Sequence, residues 1–141
     1  MLRVVLDANV VVSAFIRPDG ARGQVLERVL RGGDAIRAVV SPAILAEYRS
    51  ALAYPKVLRR LELPRDDVSV LVDALAMLSD VVPGERIVQV VAADPEDDKY
   101  LGAALEGRAA FVVSGDRHLT DGGAYAGVRV ITPRAFLDLM E

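Results

Sequence analysis

The stretch Leu2-Arg3-Val4-Val5-Leu6-Asp7-Ala8-Asn9 decides the fold, because a short apolar run there ends abruptly in a carboxylate. A run rich in valine and leucine is typical of a strand that is covered on both faces of a sheet. Asp7 directly follows this run, and α/β proteins place their sites at the carboxyl ends of their strands. Taken alone, Asp7 is better explained by an Asx-turn or by the cap of a helix that begins near Val10.

Similar apolar runs recur along the chain and alternate with longer helical patterns. The predicted strands are Leu2–Leu6, Ile36–Val40, Ile87–Val91, Phe111–Val113 and Val128–Ile131. The later predicted helices are Gln24–Leu30, Pro42–Ala53, Pro55–Leu63, Asp66–Ser79, one that starts at Pro95 and one that starts at Pro133. Strands that alternate with helices predict a parallel sheet flanked by helices, which is an α/β fold.

Length and composition narrow the class of protein. The chain has 141 residues, of which 52% are hydrophobic and 26% charged, and its net charge is −3. We expect a single domain over residues 1–141, with too much apolar surface for intrinsic disorder. No apolar run reaches the roughly 20 residues that a membrane span needs. The absence of cysteine excludes disulfides, thiolate zinc sites and cysteine nucleophiles, and we expect a cytoplasmic protein.

Charge is divided unevenly between the two halves of the chain. Residues 1–65 carry eleven basic and six acidic side chains, whereas residues 66–141 carry six basic and fourteen acidic ones. Solvated helix faces commonly produce such a division. The division also fits a basic surface beside an acidic pocket, which is what a polyanion held next to metal ions requires.

Glu47 is the second carboxylate of interest. It lies beside the apolar stripe of the helix that begins at Pro42, where a carboxylate is costly unless it is paired or binds a metal. An ion pair with Arg49, Arg3 or another arginine and a role as metal ligand explain its position equally well.

A third carboxylate comes from the stretch Asp94-Pro95-Glu96-Asp97-Asp98, which begins a helix. Acids in a first helical turn are ordinary because they face the positive end of the macrodipole. Four acids exceed that need, so we expect one of them to turn inward. Asp98 adjoins the predicted buried side of the helix better than Asp97 does.

Asp116 is the fourth carboxylate, in Ser114-Gly115-Asp116 after the strand Phe111–Val113. This order places a hydroxyl and a carboxylate at the same sheet edge as Asp7, although a glycine turn followed by a helix cap has the same sequence. Carboxylates that share one site repel each other, and a divalent cation removes that repulsion. Ligands that are all oxygen favour Mg²⁺ or Mn²⁺ over Zn²⁺, and two such ions can promote hydrolysis of a phosphodiester.

Four stretches, in order along nearly the whole chain, resemble the motifs of the PIN-domain ribonucleases. They are Val5-Leu6-Asp7-Ala8-Asn9, Ser41-Pro42-Ala43-Ile44-Leu45-Ala46-Glu47, Asp97-Asp98-Lys99-Tyr100-Leu101-Gly102-Ala103-Ala104 and Val113-Ser114-Gly115-Asp116. The chain is most similar to the VapC-like members, which are toxins of bacterial toxin–antitoxin pairs. The resemblance implies a doubly wound α/β fold with a five-stranded parallel sheet between helices. It also implies cleavage of single-stranded RNA that depends on Mg²⁺ or Mn²⁺.

The resemblance further implies a set of site residues and partners. The metal-binding and catalytic acids that it assigns are Asp7, Glu47, Asp98 and Asp116. Asp97 is the alternative to Asp98. Asn9 and Ser114 match accessory polar positions that orient these acids or a water. The family also implies a homodimer and an antitoxin, a small protein that neutralises the toxin. A non-enzymatic alternative is a PIN-like scaffold that binds RNA or a protein without cutting.

Basic side chains near these motifs are the predicted contacts to the RNA backbone. The arginines considered are Arg17, Arg22, Arg49 and Arg117. Binding through phosphates should weaken as salt concentration rises. Lys99 could touch a phosphate, but it is interpreted as a surface charge or an ion-pair partner. His118, the sole histidine, is interpreted as a loop or capping residue, because a two-metal site needs no histidine base.

Overall fold

A computed structural model describes residues 1–86, 98–121 and 123–141, and for His118 the backbone alone. The strands in these ranges are β1 Leu2–Leu6, β2 Ile36–Val40, β3 Ser79–Val81, β4 Phe111–Val113, β5 Ala124–Tyr125 and β6 Val128–Ile131. The helices are α1 Ala8–Ile16, α2 Ala21–Leu30, α3 Pro42–Leu52, α4 Pro55–Leu61, α5 Asp67–Met77, α6 Asp98–Glu106, α7 Arg117–Thr120 and α8 Pro133–Met140. No helix within the described ranges is long and apolar enough to cross a membrane.

The strands form one sheet in the order β3-β2-β1-β4-β6-β5. All neighbouring pairs are parallel except β5 and β6. The predicted α/β class, with a largely parallel sheet between helices, is confirmed. The predicted strand number was wrong, because the described residues form six strands rather than five. The additional strand is β5, which is antiparallel to β6 because a two-residue hairpin turn joins the two. Ala126 and Gly127 form this turn, and both have positive φ angles, of 51° and 88°.

The region around β3 departs from the sequence prediction. The helix predicted over Asp66–Ser79 ends at Met77, and Ser79 already belongs to β3, which pairs with β2. The predicted strand Ile87–Val91 lies outside the described residues, as does the predicted helix start at Pro95. His118 was expected in a loop or at a cap, but its backbone lies within α7.

Two predicted helix starts are confirmed by their caps. The Ser41 hydroxyl accepts a hydrogen bond from the backbone N–H of Ile44 at 3.3 Å, at the start of α3. The Thr132 hydroxyl accepts one from Ala135 at 3.1 Å, at the start of α8. In each case a proline follows the capping residue, where its missing N–H costs nothing. The cap of α3 fixes the helix that carries Glu47.

The centre of the sheet carries the apolar core. Val4 and Val5 of β1 and Val112 and Val113 of β4 are fully buried. Leu6 is paired with Val113 in register, so the residues that follow these two strands emerge side by side. The sheet therefore places the chain after β1 and the chain after β4 at one edge.

Candidate active site

The carboxyl ends of β1 and β4 join Asp7 to Ser114. The Ser114 hydroxyl donates to Asp7 Oδ2 at 2.6 Å, and the Asn9 side-chain amide donates to the same oxygen at 3.0 Å. The backbone N–H of Asp116 donates to the Ser114 hydroxyl at 2.9 Å. The backbone N–H of Gly115 donates to Asn9 Oδ1 at 3.3 Å. These bonds fasten the loop after β4 to the start of α1, so four of the residues singled out in the sequence meet here.

The Asp7 carboxylate is poorly compensated. The residue is only 5% exposed, and burial raises the pKa of its carboxyl above the usual value. Hydrogen bonding by the Ser114 side chain and by the Asn9 backbone opposes this rise in pKa, whereas the charge of Glu47 adds to it. None of the ion pairs among the described residues includes Asp7. A buried acid with only neutral donors is a group that a cation would stabilise.

Glu47 lies in α3 with both carboxylate oxygens engaged. Oε1 accepts a hydrogen bond from the Tyr100 hydroxyl, and Oε2 forms an ion pair with Lys99 Nζ. The Tyr100 hydroxyl also accepts a hydrogen bond from the backbone N–H of Ala8 at 3.2 Å. One phenol from α6 therefore connects the residue after Asp7 to Glu47.

The ion pairs settle two interpretations made from the sequence. The interpretation of Lys99 as an ion-pair partner is confirmed. The prediction that an arginine pairs with Glu47 was wrong. Arg49 pairs with Asp73 at 3.2 Å, and Arg3 pairs with Asp80 at 2.9 Å. The lysine takes this place because it directly precedes Tyr100 in α6, next to the bond that holds Glu47.

Asp98 and Asp116 flank this network. Asp98 is the first residue of α6 and is buried, at 9% exposure, whereas Asp116 is half-buried between β4 and α7. Asp97 lies outside the described residues. Among the residues that the structure describes, no three acidic or histidine side chains lie close enough together to hold a metal ion. The metal-binding roles of the four acids therefore stay predictions.

Two tyrosines support the site and were not recognised from the sequence as polar contacts. The Tyr48 hydroxyl donates to the backbone carbonyl of Leu6 at 2.5 Å, just before Asp7. Burial and the charge of Asp7 raise the pKa of both Tyr48 and Tyr100, so both remain protonated donors at neutral pH. A buried tyrosine usually finds a hydrogen-bond partner. Each of these tyrosines directly follows a charged residue, Glu47 or Lys99, which was the available signal.

The four arginines proposed as RNA contacts differ in their surroundings. Arg17 and Arg117 are exposed, and Arg49 is engaged by Asp73. Arg22, near the start of α2, lies directly against Gly115, where an added Cβ would come within 2.3 Å of Arg22 Nη2. The structure therefore brings one of the four next to the loop that carries Asp116.

Comparison with known proteins relates the chain to a family and to a protein of another organism. A family profile described as PIN domain matches residues 3–118, a range that includes Asp7, Glu47, Asp98 and Asp116. An uncharacterized protein of Methanocaldococcus jannaschii is 28% identical over 148 aligned positions, which cover 99% of this chain and 92% of that protein.

Proposed function

Because the chain belongs to the PIN domain family, whose members are generally nucleases, we propose that it is a metal-dependent endoribonuclease that cleaves single-stranded RNA. The observation that carries the proposal is the buried carboxylate of Asp7, held by Ser114 and Asn9 at the carboxyl edge of the sheet and lacking a cationic partner among the described residues. Such a charge is costly to the fold and useful to a cation-dependent site. We also propose that residues 1–141 form one domain that acts in the cytoplasm.

The donor set fits Mg²⁺ or Mn²⁺, because carboxylate oxygens are the ligands that these hard cations prefer. We propose that Asp7, Asp98 and Asp116 hold the cation, with Asp97 as the alternative to Asp98. Glu47 contributes directly or through a water, and its bonds to Lys99 and Tyr100 favour the water. When bound, such an ion supplies positive charge for the phosphate oxygens and lowers the pKa of water.

The chain's own residues prepare this site. Ser114 and Asn9 both bind Oδ2 of Asp7, which fixes the carboxylate in one orientation. Tyr100 holds Glu47, and Lys99 balances its charge. Positioning of this kind is what phosphoryl-transfer sites need, because their catalysis consists mostly of orientation and charge stabilisation. The proposed RNA contacts are Arg17, Arg22, Arg49 and Arg117.

The experiment that tests this proposal uses a fluorogenic single-stranded RNA with Mg²⁺, with Mn²⁺ or with EDTA. We expect cleavage with either metal and none with EDTA. The double substitution Asp97→Asn and Asp98→Asn should abolish it, and Asp98→Asn alone shows which of the two acids is used. Asp138→Asn, on the exposed side of α8, should leave cleavage unchanged. Cleavage that persists in EDTA or in the double variant contradicts the proposal.

A catalytically inactive scaffold that binds RNA or a protein is the second candidate. It is favoured by the engagement of Glu47 with Lys99 and Tyr100, which leaves this acid less available as a ligand. Tight RNA binding by the wild-type protein without cutting under any metal condition would support the scaffold and reject the nuclease.

We further propose that the protein is the toxin of a toxin–antitoxin pair, on the strength of its VapC-like motifs. A small antitoxin protein would then bind and neutralise it. Expression of the chain alone in bacteria should arrest growth, and co-expression of the small protein encoded next to it should relieve the arrest. Unimpaired growth with soluble, RNA-cleaving protein present contradicts the toxin role.

A homodimer is the proposed assembly. Large apolar side chains on one side of α5 and at the edge strand β3 are exposed, including Val70 at 67%, Met77 at 84% and Val81. Exposed apolar surface of this kind favours association. Light scattering should give twice the chain mass, and Met77→Glu should return it to that of one chain. A wild-type mass of one chain contradicts the dimer.

A further inference from the structure

We propose that Arg22 binds a backbone phosphate of the RNA at the cleavage site, an inference that rests on the proposed nuclease function. Arg22 lies in the first turn of α2, and its guanidinium is seated on Gly115. An added Cβ on Gly115 would lie 2.3 Å from Nη2, 3.2 Å from Cζ and 3.4 Å from Nε of Arg22. Gly115 separates Ser114, which binds Asp7, from Asp116. The guanidinium therefore lies at the border of the acidic edge.

The donors of Arg22 are not used up within the protein. Its Nε is buried and has no hydrogen-bond partner in the part of the chain that the structure describes. None of the ion pairs among those residues includes Arg22, whereas Arg3, Arg37 and Arg49 each bind a carboxylate. A buried donor without a partner is costly to the fold, and the positive charge of this guanidinium is likewise unmatched among the described residues.

The ligand that this environment fits is a phosphodiester. A guanidinium offers donors in a rigid planar fork that matches phosphate oxygens. An RNA strand that reaches the proposed acids brings such oxygens to the same place, and a cation at the border offsets the negative potential of the acidic edge. Gly115 is the residue that permits this, because any side chain there would displace the guanidinium.

Two substitutions address the same contact from its two sides. Arg22→Ala removes the cation, and Gly115→Ala keeps it but displaces the flexible end of the side chain from its seat. The φ angle of Gly115 is not in the left-handed region, so alanine is tolerated by the backbone. Arg31→Ala is the matched control, because Arg31 follows the same helix and is exposed, with its charge shared with Glu27.

The measurements are steady-state cleavage of a fluorogenic single-stranded RNA and anisotropy of a labelled single-stranded RNA in EDTA at several salt concentrations. We expect Arg22→Ala to raise KM and Kd about tenfold or more, as for loss of a charge-assisted hydrogen bond, with a much smaller change in kcat. The slope of log K against log salt should fall by about 1. Gly115→Ala should act in the same direction and add little to Arg22→Ala, and Arg31→Ala should match the wild type. Arg22→Lys should restore the salt slope.

Several outcomes overturn the inference. Wild-type cleavage together with unchanged KM, Kd and salt slope in Arg22→Ala rejects Arg22 alone and leaves the nuclease proposal standing. A lower melting temperature with an unchanged salt slope shows that Arg22 has only a structural role. A wild-type protein that binds RNA without cutting rejects the nuclease and, with it, the placement of Arg22 at a cleavage site. A wild-type protein that neither cleaves nor binds RNA rejects both proposals.

Discussion

Two aspartates of the same sheet show opposite electrostatics. Asp80, in β3, accepts hydrogen bonds from Arg3 Nε and Arg37 Nε, each at 2.9 Å, and the bond from Arg3 is the main reason that its pKa lies below the usual value. Asp7, after β1, receives bonds from the neutral groups of Ser114 and Asn9, and burial holds its pKa above the usual value.

The difference separates an acid that supports the fold from one that supports a site. The charge of Asp80 is matched by two cations, Arg37 on the adjacent strand β2 and Arg3 on β1 beyond it, and its side chain is 34% exposed to water. The charge of Asp7 is unmatched among the described residues and almost fully buried, so it opposes folding in the absence of a bound cation. Charged groups that are costly to the fold are typical of functional sites.

The largest expected contrast is in catalysis. Asp7→Asn removes the carboxylate charge with little change in shape and should lower kcat for RNA cleavage by about 10²–10³-fold, as removal of a single charge-stabilising group does. Asp80→Asn should leave kcat nearly unchanged, because its carboxylate only binds Arg3 and Arg37. Cleavage of fluorogenic RNA measures both variants. Equal losses in the two would show that the contrast has no functional meaning.

A smaller effect should come from the phenol that connects the Asp7 region to Glu47. Tyr100→Phe leaves the backbone N–H of Ala8 without its partner and should lower the free energy of unfolding by about 1–3 kcal/mol. Tyr54→Phe is the control, because Tyr54 is 62% exposed and the change should cost almost nothing. Denaturant unfolding measures both. Tyr100→Phe protein with wild-type stability would remove the tyrosine from this network.

The smallest expected effects concern how the free energy of unfolding changes with pH in EDTA, where Asp80 and Asp7 should contribute slopes of opposite sign. The pKa of Asp80 is lowered by folding, so its contribution is present above the unfolded pKa and is lost as pH falls through the folded one. That contribution should be about 0.5–1 kcal/mol, because the pair is partly exposed. The pKa of Asp7 is raised by folding, so stability falls as pH rises through its folded pKa. Denaturant unfolding from pH 3 to 7 measures the free energy of unfolding against pH. Asp80→Asn should flatten the rise of that free energy at the acidic end, and Asp7→Asn should flatten its fall at higher pH. Slopes of the same sign would contradict the comparison.

The sequence predicted the fold best where local pattern and tertiary burial agree. The bounds of β1, β2, β4 and β6 match the predicted runs, since valine and isoleucine mark strands that are covered on both faces. β3 was missed because Ser79-Asp80-Val81 is a short, half-polar edge strand that directly follows α5. Its place depends on pairing with β2 and on two distant arginines, which no local pattern contains.

The candidate site was predicted in part. Strand ends located Asp7 and Ser114, because parallel strands bring their carboxyl ends to one edge. The role of the Tyr100 hydroxyl and the seat of Arg22 on Gly115 were not predicted. Both depend on contacts between segments far apart in the chain, and their side chains look locally like ordinary core and surface residues.

Thermal unfolding with and without Mn²⁺ tests most directly whether the buried charge of Asp7 is there to receive a cation. In EDTA, Asp7→Asn should have a higher melting temperature than the wild type, because it removes an unmatched charge. The gain in the free energy of unfolding should be about 0.5–2 kcal/mol. Mn²⁺ at a hundred times its Kd should raise the free energy of unfolding of the wild type by about 2.7 kcal/mol, and its melting temperature accordingly. The melting temperature of Asp7→Asn should not change. A wild-type melting temperature that does not change with Mn²⁺, or an equal rise in Asp7→Asn, would contradict the account.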